Sequence, residues 1–269
     1  MKKIFLLTLN LTAVFFLHAQ ITICSWNLEN FGKSKSDSTI QFIANTIKDF
    51  DVIAIQEVVT GNSGIRAITR LQDELNKKGI KWDYTVSDAT ISSSHNISER
   101  YAFIWKTSKL TLINKAWLEK KYDLEIEREP YCATFKSKDK NFTLVNFHAI
   151  PKQKQPETEI KYFKFLPLEY ADMNLIFCGD FNCAQSHTVF NPLKKMGYKP
   201  VFVNQKTSLK ENYNRNECLA SEYDNMFYKT SKINFEKSGV IHFYKSFATL
   251  KEARCVSDHL PVYFQFSLN

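Results

Sequence analysis

Two packed mixed sheets flanked by helices, an α/β arrangement within one domain, are what this 269-residue sequence predicts. Three observations support that fold. Short apolar runs with strand character dominate the chain, and amphipathic helical stretches recur between them. Polar constellations sit at the ends of the strand-like runs, where ligand sites of open α/β sheets gather. No Gly/Ser-rich or Pro-rich linker, internal repeat or low-complexity tract marks a second domain.

Taken in order, residues 1–19 read as an export signal. Lys2-Lys3 precede a mostly apolar run from Ile4 to Leu17, and Leu17-His18-Ala19 places cleavage before Gln20. The run is too short for a membrane anchor and contains Asn10 and Thr12. Ile23 stands before Cys24 where a lipoprotein signal requires a small residue. The expected mature unit is therefore residues 20–269, exported to a periplasmic or extracellular space, monomeric and without stable membrane association.

Residues 21–25 form a strand leading into Trp26-Asn27-Leu28-Glu29-Asn30. A helix over 36–50 places Ile40, Ile43, Ile47 and Phe50 on one face. A short buried strand over 51–55 leads into Gln56-Glu57-Val58. A second helix carries Ile68, Leu71 and Leu75 in register, with Gly79 as its stop. Residues 87–98 are polar and predict a surface loop. Strands follow over 101–105, 131–135 and 142–147, the last ending in Asn146-Phe147-His148. A helix around 157–166 precedes the strand 175–178 and its terminal Gly179-Asp180-Phe181-Asn182. Tyr223-Asp224-Asn225 opens a short strand near 226–228, and Ser257-Asp258-His259 precedes the last strand, 262–266.

The formal charge is +8, of which Lys2 and Lys3 contribute two, so the mature unit keeps a modest cationic excess. That excess favours a polyanionic partner. Its lysines and arginines are spread along the chain, so charge alone does not separate this reading from a solvated surface. The six cysteines include no Cys-x-x-Cys, which removes zinc ribbons and thioredoxin-like redox chemistry. Cys24 and Cys178 read as small buried hydrophobes on core strands. The polar constellations supply acids, amides and imidazoles, the inventory for metal-assisted attack on a phosphate. His95, His187 and His242 lack such company and read as structural.

Asn27, Glu57, His148, Asp180, Asn182, Asp258 and His259, in that order and spacing, resemble the endonuclease/exonuclease/phosphatase superfamily. Ser98-Glu99-Arg100-Tyr101-Ala102-Phe103, Arg128-Glu129-Pro130, Tyr223-Asp224 and Ser257-Asp258-His259-Leu260-Pro261-Val262 resemble, within it, the secreted deoxyribonuclease I branch. The resemblance runs from about residue 22 to the C-terminus. It implies a four-layer α/β/β/α sandwich and a metal-dependent endonuclease that hydrolyses DNA phosphodiester bonds with low sequence specificity. The implied substrate is nucleic acid, double-stranded DNA in the first place. A disulfide between Cys183 and Cys218 is implied by the bridge that the branch carries in this region.

Carried onto this sequence, Glu57 is the first metal ligand, with Asn27 and Asp258 completing an oxygen cradle that suits Mg²⁺ or Mn²⁺; a need for Ca²⁺ stays open. His148 and His259 are the proton-transfer groups, each with a carboxylate behind it, Glu99 and Asp224 respectively. Asp180 is either a water-orienting group or a metal ligand, and Asn182 donates to a phosphate oxygen. Arg128 offers a fork to a non-bridging oxygen, or forms an ion pair with Glu127 or Glu129. Glu29, Val59 and Ile97 stand where the branch carries groove-binding arginine and tyrosine residues, so the grip on duplex DNA is expected to be weak. Two alternatives remain: a phosphoesterase of this fold acting on lipid-linked or small phosphates, sphingomyelinase-like, and a binding module that has lost catalysis. Glu99-Arg100-Tyr101 and Arg128-Glu129-Pro130 weigh against the first, the complete set of acids, amides and histidines against the second.

Overall fold

A computed structural model describes residues 20–92, 98–214 and 217–269. The leader expected over 1–19, together with His95 and Ile97, lies outside the described residues. Among the described residues, fourteen strands form two six-stranded sheets and one hairpin. The first sheet contains β1 (Gln20–Phe31), β2 (Val52–Val58), β3 (Trp82–Val86), β4 (Arg100–Lys106), β13 (Ile233–Val240) and β14 (Val262–Leu268), in the spatial order β13-β14-β1-β2-β4-β3. The second contains β5 (Thr111–Leu118), β6 (Tyr131–Ser137), β7 (Lys140–His148), β8 (Leu175–Asp180), β9 (Tyr198–Pro200) and β12 (Asp224–Lys229), ordered β5-β6-β7-β8-β12-β9. The strands β10 (Leu209–Asn214) and β11 (Glu217–Leu219) pair with each other.

Alternation along the strands builds the layers. On β1 the even set Cys24, Trp26 and Leu28 faces helices, while Ile21 and Ile23 face the other sheet. On β4, Tyr101, Phe103 and Trp105 point between the sheets and Ala102 and Ile104 point outward. On β8, Ile176 and Cys178 point inward, Leu175 and Phe177 outward. A strand buried on both faces reads as a continuous apolar run, which is why these strands stand out in the sequence. Three apolar layers result: one between the sheets, one under α1 (Asp37–Ile47) and α2 (Asn62–Asn76), and one under the helices that flank the second sheet. The four-layer α/β/β/α sandwich is thus the fold of this chain.

The helix α1 starts where Ser36 Oγ accepts the N–H of Thr39 at 3.1 Å, and it buries Ile40, Ile43, Ala44 and Ile47. It ends before Phe50, which instead packs on Tyr263 with ring centroids 5.3 Å apart. Gly79, at φ +90°, makes the left-handed turn that follows α2. The helix expected around 157–166 is broken into α3 (Glu157–Ile160), a tighter 3₁₀ stretch over Lys161–Phe165, and α4 (Leu166–Glu169). Pro167 explains the break, since it has no N–H and its ring collides with the preceding turn of a continuous helix. Two further short helices, α5 (Asn191–Lys195) and α6 (Leu250–Arg254), complete the outer layers; α6 is closed by a reciprocal Thr249–Glu252 capping box. Among the described residues no helix is long and apolar enough to cross a membrane.

Two expectations are corrected. The segment after Ser87 is not simply a surface loop: Ser87 and Thr90 are buried, with their N–H groups donating to the carbonyls of Tyr101 and Glu99. The Cys183–Cys218 disulfide is absent, and all six cysteines are free thiols. Cys183 is buried in the layer outside the second sheet, whereas β11, which carries Cys218, packs through Leu219 on the helix side of the first. The two residues belong to different layers, so the short separation of a bridge is not available to them.

The parallel pair β7–β8 sets one strict requirement. Gly179 holds φ +137°, and a Cβ there would lie 1.9 Å from the carbonyl oxygen of Phe147. Gly179→Ala must push the two central strands apart, and the expected cost is roughly 2–4 kcal/mol of stability. Urea unfolding checks it: an unchanged midpoint would mean the strands re-space without penalty.

Candidate active site

Strand direction collects the polar side chains at one edge of the sandwich. The parallel strands β1 and β2, with Asn27 opposite Gln56, deliver Asn27 and Glu57 together. In the other sheet β7 and β8 are also parallel and place His148 opposite Asp180. Antiparallel β12 puts Asp224 across from Asp180, antiparallel β4 begins just after Glu99, and His259 stands shortly before β14. Beneath them a buried amide bridge ties the sheets: Gln56 donates to Asn146 Oδ1 at 2.5 Å, and Asn146 donates to the Ile55 carbonyl at 3.0 Å. Glu29, Asn30, Glu57 and Asn182 all hold left-handed backbone conformations, with φ between 40° and 59°. Such conformations cost energy for residues other than glycine and cluster at functional sites.

A cleft of about 480 Å³ opens here, lined by Glu57, Glu99, Arg128, His148, Asp180, Asn182 and His259 among others. Asp180, 1% exposed, is its centre. Its Oδ2 lies 3.5 Å from His148 Nε2 and 3.4 Å from His259 Nε2. Behind His148, Nδ1 contacts the Glu99 carboxylate at 2.9 Å; behind His259, Nδ1 contacts Asp224 Oδ2 at 2.7 Å. Each imidazole therefore has a carboxylate at its Nδ1. Each carboxylate is itself held. Arg128 Nη1 donates to Glu99 at 3.0 Å, and Thr207 Oγ1 donates to Asp224 Oδ2 at 2.7 Å.

These contacts decide the protonation states. Burial works against charge on His259, but Asp224 and Asp180 outweigh it and hold the imidazole well above its usual range. Burial and the Arg128 guanidinium pull His148 down, Glu99 and Asp180 push it up, and the balance is raised. Asp180 is raised by burial and lowered more strongly by His259 and His148, so it stays below the usual carboxylate range. Glu99 is likewise raised by burial and brought below its usual value by His148 and Arg128. Asp224 is pushed up by burial, to about 6, against the pull of His259. An elevated acid beside an elevated base describes one proton held between the two.

Asn182 N donates to Asp180 Oδ1 at 2.9 Å, and its side-chain Nδ2 donates to the Ala149 carbonyl at 3.0 Å. Arg128 pairs with neither Glu127 nor Glu129: it is 7% exposed, and it also donates to the carbonyls of His148 (3.0 Å) and Ala149. Asn27 Nδ2 stands between two carboxylates, 2.9 Å from Glu57 Oε1 and 3.2 Å from Asp180 Oδ2. Asp258 Oδ2 lies 3.6 Å from Arg254 Nη2, and its Oδ1 lies 4.0 Å from His259 Nε2. Val59 packs against Gly32, where an added Cβ would come within 2.4 Å of its methyl group. Thr207, fully buried, went unnoticed in the sequence, because a threonine in a polar stretch carries no periodic or motif signal. Tyr101 and Ser257 stood inside quoted motifs, but their tasks emerge only here: Tyr101 Oη accepts the His148 N–H, and Ser257 Oγ ties the His259 N–H to the Asn27 carbonyl.

A family model described as the Endonuclease/Exonuclease/phosphatase family matches residues 24–259. The chain belongs to the endonuclease/exonuclease/phosphatase family. Human deoxyribonuclease gamma is 30% identical over 271 residues, covering 90% of this chain and 85% of the human protein. A solved endonuclease/exonuclease/phosphatase family protein from Bacteroides thetaiotaomicron superposes with a TM-score of 0.69 at 18% identity, over 94% of this chain and all of that one. A mannosyl-6-phosphatase from the same organism superposes at 0.64 with 20% identity, over 93% and 99% of the two chains. At such identities the solved structures establish the fold.

Two groupings in this family site have the chemistry of a cation site. Asp180, Asp224 and His259 offer ligand atoms within 4.8 Å of one another, but His259 already supplies positive charge there. Glu57 and Asp180 converge on the Asn27 amide as an all-oxygen donor set with the half-exposed Glu57 at its mouth, and the His148 imidazole stands 3.9 Å from Glu57 and 3.5 Å from Asp180. The second grouping fits a divalent ion better.

The dyads give a pH prediction. In metal-free protein the His259 imidazole should titrate by NMR above the ordinary value of about 6.5, and Asp224→Asn should move it down. A raised folded-state value stabilises the protein fully below that ordinary value and loses its effect as pH climbs through the folded one. The alkaline loss of stability should therefore shrink in Asp224→Asn. An unmoved His259 titration would separate Asp224 from the imidazole.

Proposed function

We propose that this chain is an exported, divalent-metal-dependent phosphodiesterase that cuts DNA endonucleolytically with little sequence preference, acting as a monomer. The observation carrying the reading is the pair of imidazole–carboxylate dyads facing each other across Asp180. The deoxyribonuclease name of the human relative supports the substrate class. The scissile phosphate lies between the two imidazoles. Asp180, kept ionised, accepts a hydrogen bond from the attacking water. His148, the less firmly protonated of the two because Arg128 opposes its charge, takes up the proton of that water in its neutral form, and Glu99 holds the ring in register. His259, the more firmly protonated of the two, delivers a proton to the leaving 3′-oxygen. Asn182 donates to a non-bridging oxygen. Arg128 uses three of its nitrogens on the protein, so its main contribution is to fix Glu99, with its remaining N–H groups turned to the substrate.

Glu57 and Asp180, with Asn27 beside them, would hold Mg²⁺ or Mn²⁺. Bound there, the ion would neutralise phosphate charge and polarise the P–O bond under attack. The duplex is held mainly through its phosphates. Glu29 places an acid beside the cleft, and Val59 is committed to Gly32, so neither supplies the groove contact of an arginine. Export rests on the sequence of residues 1–19.

Incubation of residues 20–269 with plasmid DNA, RNA, sphingomyelin and a sugar phosphate, with Mg²⁺ or with chelator, tests the reading. Plasmid should be nicked and linearised with Mg²⁺ or Mn²⁺ and left intact in chelator; cleavage of the lipid or sugar substrate alone would replace the nuclease assignment. His148→Ala and His259→Ala should each lower turnover by roughly 10² or more, the scale of general acid–base catalysis. Near-normal turnover in either variant would reduce that histidine to a structural role. Glu57→Gln should abolish the response to Mg²⁺ while leaving thermal unfolding nearly unchanged, because the side chain is half-exposed and outside the core.

A further inference from the structure

Glu159 is a carboxylate on α3 that none of the chemistry above uses, yet it is only 2% exposed. Burying an anion is costly unless its oxygens are satisfied. Its oxygens accept two main-chain N–H groups, from Glu127 at 2.6 Å and from Ile150 at 2.9 Å. The first N–H belongs to the residue before Arg128. The second belongs to the Ala149–Ile150 peptide, whose carbonyl oxygen accepts from Arg128 Nη2 and from Asn182 Nδ2. A peptide unit is planar, so a grip on its N–H fixes the direction of its C=O. Arg128 Nε closes the circuit on the His148 carbonyl, and Nη1 extends it to Glu99.

We propose that Glu159 is a positioning residue that orients the Ala149–Ile150 peptide and thereby aims Arg128 and Asn182 into the cleft. The inference rests on the phosphodiester-hydrolysis reading of that cleft for its effect on turnover, but its geometric content does not. Both N–H groups that Glu159 accepts lie next to residues of the circuit. The Ala149 carbonyl, in turn, is the shared acceptor of the two side chains proposed to meet the phosphate. A carboxylate accepts on both oxygens, whereas a carboxamide has one acceptor and a donor group. Glu159→Gln therefore sets a donor against one of the two N–H groups and releases that end.

The test compares Glu159→Gln with the unsubstituted chain in two measurements. The first is the side-chain NH₂ resonance of Asn182 in ¹⁵N NMR without substrate, expected to shift and broaden as the Ala149 carbonyl loses its fixed direction. The second is kcat on duplex DNA, alone and in the Asn182→Ala background. A loss of about tenfold is expected in the single variant and about twofold or less in Asn182→Ala, because coupled residues are non-additive. A merely structural Glu159 would lower the unfolding temperature and cut kcat equally in every background. That result, or an unmoved Asn182 resonance, overturns the proposal. Should Glu159→Gln not fold, Glu159→Asp keeps the charge but reaches only one N–H and is read by the same comparison. If the unsubstituted chain has no turnover on DNA, the nuclease reading fails, and the Asn182 resonance alone decides the role of Glu159.

Discussion

A carboxylate that is almost fully buried must be surrounded by positive charge and hydrogen-bond donors, and Asp180 imposes that demand on everything near it. Two imidazoles, the Asn27 amide and the Asn182 N–H answer it. Each imidazole then needs an anion of its own, which brings in Glu99 and Asp224, and Glu99 in turn needs Arg128. Read along its contacts, the series Arg128, Glu99, His148, Asp180, His259, Asp224 alternates in sign from end to end. Neighbouring charges compensate, so the whole row can be buried where any single member alone could not. Removing one member leaves its neighbours uncompensated, a far larger loss than that of an exposed ion pair.

The row also crosses the sandwich repeatedly. Glu99 and His259 belong to segments leading into strands of the first sheet, whereas His148, Asp180 and Asp224 belong to the second. Its distances therefore depend on how the sheets sit against each other, not on either sheet alone. The aromatic layer between them and the Gln56–Asn146 bridge just below the cleft set that relation. Packing and chemistry are in this sense a single problem: a shift of one sheet by an ångström would separate dyads that now meet across Asp180.

Legibility in the sequence followed burial. Strands covered on both faces, such as β2, β4, β7 and β8, showed as apolar runs, and the residues at their ends were found together with them. Edge strands were not seen. β3, β5 and β13 carry exposed or half-exposed positions with lysine, asparagine and glutamate among them, as edges commonly do, and their alternation is diluted. The helix around 157–166 is legible in the sequence, but Pro167 breaks it into shorter pieces. At the site, identity was legible and pairing was not. Arg128 meets Glu99 across 29 residues, and no local pattern distinguishes that partner from the adjacent Glu127 and Glu129. Thr207 and Glu159 act through the backbone and through second neighbours, contacts for which residue type alone gives no sign. The disulfide expectation, carried over from the bridge of the resembled branch, fails because Cys183 and the strand that bears Cys218 pack in different layers of this fold.

The left-handed backbone at Glu29, Asn30, Glu57 and Asn182 has a consequence for how this chain can change over generations. At each of these positions glycine would relax the main chain and stabilise the fold by a few tenths to about 1 kcal/mol. At Glu57 and Asn182 that relief would delete the side chain for which the conformation is kept. Variants sorted for heat resistance alone would therefore drift toward glycine where phosphate chemistry is assembled. Variants sorted for turnover would retain the strained residues and have to find compensating stability elsewhere, in the exposed edge strands and on the solvent faces of the outer helices.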